Sequence, residues 1–81
     1  MMFEWDEQKA ESNLRKHDVS FEEAATVLRD PLAATVADPD HSTAEHRLLT
    51  FGMSAHGRLL VVAHTERDDV LRIISARLIT T

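Results

Sequence analysis

Apolar residues in this chain change their spacing near residue 31. Phe21, Ala24, Ala25 and Leu28 fall at i, i+3, i+4 and i+7, which is one face of a helix. Ser20 stands at the N-cap position, and Glu23 three residues on completes the capping-box spacing. Asp30-Pro31 ends the helix, because proline lacks an amide donor and restricts the residue before it. Upstream, "DEQKAESNLRKHD" predicts a first helix with Asp6 as N-cap. Lys16 and His17 lie in its last turn, where the helix dipole favours positive charge. Its apolar stripe is limited to Ala10 and Leu14, so a mostly solvated helix is expected.

Beyond Pro31 the pattern becomes that of strands. "LAATVAD" predicts a short one, followed by the turn-rich "DPDHST". "EHRLLTFGM", "RLLVVAHTE" and "VLRIISARL" then predict a three-strand meander. Gly57 suits the left-handed position of the "SAHG" hairpin loop. "MFEW" near the start predicts a first edge strand, and Trp5 is expected in the core. The reading is one α+β domain over 1–81, with two N-terminal helices packed on a small antiparallel sheet.

The 81 residues are close to the size at which one core barely suffices, so a partner or a dimer would contribute materially. There is no cysteine, which excludes disulfides, thiolate zinc sites and a cysteine nucleophile. "MMFEWDEQ" does not read as a signal peptide, and no apolar run approaches the ~20 residues of a membrane helix. A cytoplasmic protein is expected. The net charge of -5 argues against nucleic-acid binding through overall field alone. Its distribution changes that picture. Residues 1–40 hold four Lys/Arg against ten Asp/Glu, whereas residues 41–81 hold five arginines against four acids. Arginines at 47, 58, 67, 72 and 77 suit planar contact with phosphate or carboxylate.

The polar interruptions in the strands are His64, Arg72, Ser75 and Arg77. In a regular strand Arg72 and Arg77 point to opposite faces, and they share one only with a bulge or if Arg77 lies beyond the strand. A three-residue "RDD" loop places His64 opposite Arg72, whereas a two-residue Asp68-Asp69 turn places Thr65 there and His64 opposite Ile73. Slipping by one residue flips the faces, so the register stays open at this point. A histidine beside an arginine suits phosphoryl chemistry, the first moving a proton and the second holding charge. A strand histidine is also commonly a structural one. His41 and His46, with Asp38, Asp40 and Glu45 nearby, match no zinc spacing, and no metal site is expected. With Gly52 and Gly57 the sole glycines, there is no glycine-rich phosphate loop.

"FEWDEQKAESNLRKHDVSFEEAATVLRDPLA", "DPDHS", "EHRLLTFG", "GRLLVVAHTER" and "RIISAR", in that order, resemble the BrnT family of type II toxins from Phe3 to Arg77. The resemblance implies a RelE-like fold and a cytoplasmic ribonuclease toxin that blocks translation. Such enzymes need no metal or cofactor, because the RNA's own 2′-hydroxyl attacks the adjacent phosphate. The implied partner is a BrnA-like ribbon-helix-helix antitoxin, two toxins with two antitoxins, with DNA contacted only through the antitoxin. Matched by position, His64, Arg72 and Arg77 are the expected catalytic set: His64 for proton transfer, the arginines for phosphate. Lys9, Lys16, His17 and Arg67 are the expected RNA contacts. Two departures stand out. Asp18 replaces the glycine that commonly follows "KH", and "LITT" stands where the family usually continues into a basic helix. Lack of that helix would uncover Leu78 and Ile79 and favour self-association. It also supports a second reading, an inactive antitoxin-binding module in transcriptional autoregulation.

Overall fold

The computed structural model describes residues 2–39 and 46–79. The elements run β1 (Met2–Glu4), α1 (Glu7–His17), α2 (Phe21–Leu28), β2 (Ala34–Ala37), β3 (Leu48–Met53), β4 (Leu59–Arg67) and β5 (Val70–Leu78). The five strands form one sheet in the order β1-β5-β4-β3-β2. The α+β architecture and its two N-terminal helices are as the sequence predicts. The sheet is antiparallel from β2 to β5 and mixed overall, because β1 pairs parallel to β5. Successive hairpins enforce antiparallel neighbours, whereas β1 reaches β5 from the far end of the sequence. In this pairing Phe3 lies opposite Leu71 and packs against the core.

The helices form where their caps direct. Asp6 Oδ1 accepts from the amides of Gln8 and Lys9, at 2.8 and 3.2 Å, and opens α1. Asp18 closes it in the left-handed conformation, φ 58°, the geometry that glycine adopts most readily and aspartate tolerates better than most residues. Ser20 Oγ accepts from the Glu23 amide at 3.0 Å and opens α2. The other half of the capping box does not form, because the Glu23 carboxylate turns away to Arg58. Val19, Phe21, Ala24 and Val27 then pack against Leu60, Val62, Leu71, Ile73 and Ala76 of the sheet. Trp5 meets Phe21 edge to face at 5.9 Å. Gly52 allows the chain after α2 to cross β3, since a Cβ there would lie 2.9 Å from Ala33 Cβ.

In α1 the buried residue is Asn13, whereas Leu14 is 49 % exposed. Beyond the three residues of β1, no strand among the described residues lies beside the edge of β5, and the Asn13 amide stands in for one. Its Nδ2 donates to the carbonyls of Ala76 and Val19, at 2.8 and 2.9 Å, and its Oδ1 accepts from the Ala76 amide at 3.1 Å. This fastens α1 to β5 and fixes where Lys16 and His17 lie. Asn13→Ala would leave three buried backbone groups without partners, each costing about 1–3 kcal/mol. We expect a total loss of about 3 kcal/mol, read as a lower urea midpoint with an unchanged m-value.

A second polar cluster joins α2 to the β3–β4 hairpin. Arg58 forks onto Glu23, with Nε 2.9 Å from Oε2 and Nη2 on Oε1. Ser54 Oγ donates to Glu23 Oε2 at 2.7 Å, and Arg58 Nη2 also reaches the Asp18 carbonyl at 2.9 Å. The Glu23 carboxylate is nearly fully buried. The hydrogen bond from Arg58 outweighs the burial penalty and, with Ser54, lowers its pKa to about 2.

Candidate functional site on the outer face of the sheet

The β4–β5 turn has two residues, so Thr65 lies opposite Arg72 and His64 opposite Ile73. This resolves the register the sequence leaves open. Ala63 pairs with Ser75 while His64 pairs with Ile73, which leaves Ile74 as the extra residue of a β-bulge. The bulge reverses the alternation of β5. Leu71, Ile73 and Ala76 are buried under the helices, and Arg72, Ser75 and Arg77 all stand exposed on the other face. The bulge therefore brings the two arginines to one side of the sheet.

His64 does not join them. It is 1 % exposed, on the core face with Leu60 and Val62. Its Nε2 lies 2.7 Å from Thr50 Oγ1, which lies 2.7 Å from Thr35 Oγ1, a polar row running from β4 to β2. Its Nδ1 is buried with no hydrogen-bond partner. Burial lowers its pKa, against a smaller opposing pull from Glu66, which favours the neutral ring. A phosphate on the outer face is separated from this imidazole by the sheet itself. That corrects the expected pairing of His64 with Arg72 and Arg77: the apolar partners of His64 on its own strand carry it into the core.

The outer face offers different company for Arg77. Lys16 and His17, at the end of α1, line a depression with Phe51, Val61, Arg77, Leu78 and Ile79. An adjoining groove shares His17, Val61 and Arg77 and continues past Ser75, Ala63 and Leu49 to Arg47 and Asp38. His17 and Arg77 thus stand on the wall common to both. Arg72 lies four β4 residues along the sheet from Arg77, about 13 Å. Its Nη1 is held 2.9 Å from Glu4 Oε2. Arg67 lies beside Arg72 in another depression, where Glu4, Glu66 and Asp68 supply three acids against the two arginines. The Arg77 depression has two cations and no acid, so a phosphate is better accommodated there. Lys9 is in the first turn of α1, about 10 Å along the helix from Lys16, and lines neither.

Of the possible metal ligands, Asp40, His41 and Glu45 lie outside the described residues, and His46 lines the Arg72 depression. Among the described residues, no group of three His, Asp or Glu side chains could hold a metal. No helix among them is long and apolar enough to cross a membrane.

Residues 5–81 match the family described as the ribonuclease toxin, BrnT, of type II toxin-antitoxin systems. The chain belongs to the BrnT family. Membership makes it a toxin of the ribonuclease class and implies an antitoxin partner. A solved structure of similar shape is the 1.1 Å crystal structure of the Brucella abortus ribonuclease toxin BrnT. It is 24 % identical and superposes over 100 % of both chains with a TM-score of 0.75, which shows a common fold. No curated protein sequence matches the chain.

The sequence groups Arg77 with His64 and Arg72 as the expected catalytic set and Lys16 and His17 with Lys9 and Arg67 as RNA contacts; the fold brings Arg77, Lys16 and His17 together. Arg47, one of the five arginines of the second half but not among the expected site residues, joins the groove wall through β2–β3 pairing, where the Asp38 amide donates to the Arg47 carbonyl at 2.9 Å.

Proposed function

We propose that this BrnT-family chain cleaves single-stranded RNA without a metal, in the groove where Arg77, His17 and Lys16 meet. The observation that carries this reading is their convergence at one acid-free end of an exposed sheet face. In the reaction the RNA's 2′-oxygen attacks its adjacent phosphorus as the bond to the 5′-oxygen breaks. A 2′,3′-cyclic phosphate and a 5′-hydroxyl result, the leaving 5′-oxygen taking its proton from solvent water. His17 takes the proton from the 2′-hydroxyl, an exposed imidazole being able to exchange it with solvent afterwards. Arg77 holds the non-bridging oxygens as charge grows on them, and Lys16 supplies a second positive charge. Phe51 and Val61 give the flat apolar floor on which a splayed base can rest. Arg72 and Arg67 serve as outlying contacts for neighbouring phosphates rather than as members of the reacting set.

In the cell this activity blocks translation in the cytoplasm. A BrnA-like ribbon-helix-helix antitoxin holds it in check, two toxins with two antitoxins, and alone contacts DNA. The test is induction of the chain without antitoxin, followed by mapping of RNA ends in a lysate and with purified protein in EDTA. Growth arrest with EDTA-resistant cyclic-phosphate ends is expected. Retained antitoxin binding without arrest or cleavage favours the second reading, a regulatory module without nuclease activity.

A further inference from the structure

The two edges of the sheet are treated differently. On the β5 side, β1 and then the Asn13 amide occupy the outward backbone groups. On the other side, nothing among the described residues pairs with the outer edge of β2. Its sequence, Ala34-Thr35-Val36-Ala37, has no charge, proline or bulge, and all four residues are exposed. Such an edge is a template for another strand unless something blunts it.

The hydrogen-bond phase of β2 specifies which strand fits. The Asp38 amide donates to Arg47 within the sheet. Alternation then turns Val36 and Ala34 toward β3, opposite Leu49 and Phe51, and leaves the amides and carbonyls of Thr35 and Ala37 facing outward. The close Thr35–Thr50 hydroxyl contact of 2.7 Å fits this phase, since side chains approach most in a pair that exchanges no backbone bonds. An antiparallel copy of β2 placed with Val36 opposite Val36 brings Thr35 of each chain opposite Ala37 of the other. All the outward groups of those two residues are then bonded, four bonds in all by this geometry. On the outer face the same register sets Leu49, Val36, Val36 and Leu49 in a row across the axis. It sets Ala34 opposite Asp38, so no like charges meet.

We propose that β2 is a self-association edge, pairing antiparallel with β2 of a second copy about a two-fold axis at Val36. The occupant is a second copy because the strand is complementary to itself in both bonding phase and charge. The contact is short, so the dimer forms in a concentration-dependent way.

Sedimentation of the isolated chain is expected to move from monomer toward dimer as concentration rises to hundreds of micromolar. Val36→Lys sets two ammonium groups face to face at an exposed site, and it is expected to hold the chain monomeric with its melting temperature unchanged. The register is read directly by cysteines, since the chain has none of its own. Opposed Val36 Cα atoms would lie about 4.5 Å apart, within disulfide range, while the Thr35 pair is diagonal at about 7–8 Å. Val36→Cys should cross-link on mild oxidation and Thr35→Cys should not. A wild-type chain that stays monomeric overturns the proposal, as does a dimer that survives Val36→Lys. If the free chain is monomeric and Val36→Lys instead weakens antitoxin capture, the edge belongs to the antitoxin and the proposal is also overturned.

Discussion

Replacing Glu23 with glutamine is expected to lower stability at pH 7 by about 3 kcal/mol and the melting temperature by about 15 °C. A carboxyl whose pKa is about 2 in the fold, against 4.5 as its ordinary value, has its charged form favoured by roughly that energy. Glutamine mimics the protonated acid and forfeits it. The sign follows from linkage. The folded-state pKa is depressed, so the stabilisation is complete above pH 4.5 and is lost as pH falls from 4.5 through about 2. His64 adds an earlier phase in the same direction. Its folded pKa lies below 6.5, so the unfolded chain binds that proton first, and stability begins to fall as pH drops below 6.5. Urea titrations from pH 8 to pH 2 should show both phases in the wild type, and the lower one should be missing in Glu23→Gln. An unchanged acid limb in that variant would show that the carboxylate is not held as described. Arg58→Ala is expected to be worse than Glu23→Gln, because it leaves a buried carboxylate with the Ser54 hydroxyl and an exposed His56 ring 3.5 Å away in place of the guanidinium fork.

The second large effect concerns the chemistry. His17→Ala is expected to lower RNA cleavage by about 10²–10⁴-fold, the usual range for a lost general acid or base. Arg77→Ala should lower it by about 10²–10³-fold through lost charge stabilisation. Both side chains are exposed, so both variants should melt near the wild-type temperature, which separates catalytic from structural loss. Arg72→Ala, with its guanidinium already on Glu4, is expected to weaken RNA binding and leave the maximal rate close to wild type. The effect should show as a higher KM. A collapse of the rate in Arg72→Ala alone would move the reacting centre to the other end of the sheet.

How far the sequence reveals this arrangement depends on whether the determining signal is local. The α2 face is written in the spacing of Phe21, Ala24, Ala25 and Leu28, and the Ser20 cap forms as the pattern predicts. The side chain of Glu23 breaks from its local role because Arg58, far along the chain, offers a stronger partner than the helix end. Asn13 leaves no local trace either. Its partners are Val19 and Ala76, and a polar residue on a solvated helix looks ordinary until β5 is placed beside it. The face of His64 is ambiguous for a related reason. Leu59, Val61 and Ala63 alternate with Leu60 and Val62, so β4 is apolar on both sides and alternation alone does not say which is the core. The bulge at Ile74 decides the fate of both arginines, and it depends on how β4 and β5 align. Lys16 and His17 were legible as a cationic helix end, while their approach to Arg77 required the helix to be docked.

The central claim is that chemistry belongs to the exposed His17 beside Arg77 and not to the buried His64. The most direct measurement is the single-turnover rate of RNA cleavage, with product ends mapped, for folded His17→Ala and His64→Gln. Glutamine at 64 retains a side-chain amide that can bond Thr50. His17→Ala is expected to lose at least about 10²-fold while His64→Gln stays within a few-fold of wild type at temperatures below its melting point. The reverse pattern, with His17→Ala fully active and a folded His64→Gln inert, would contradict it.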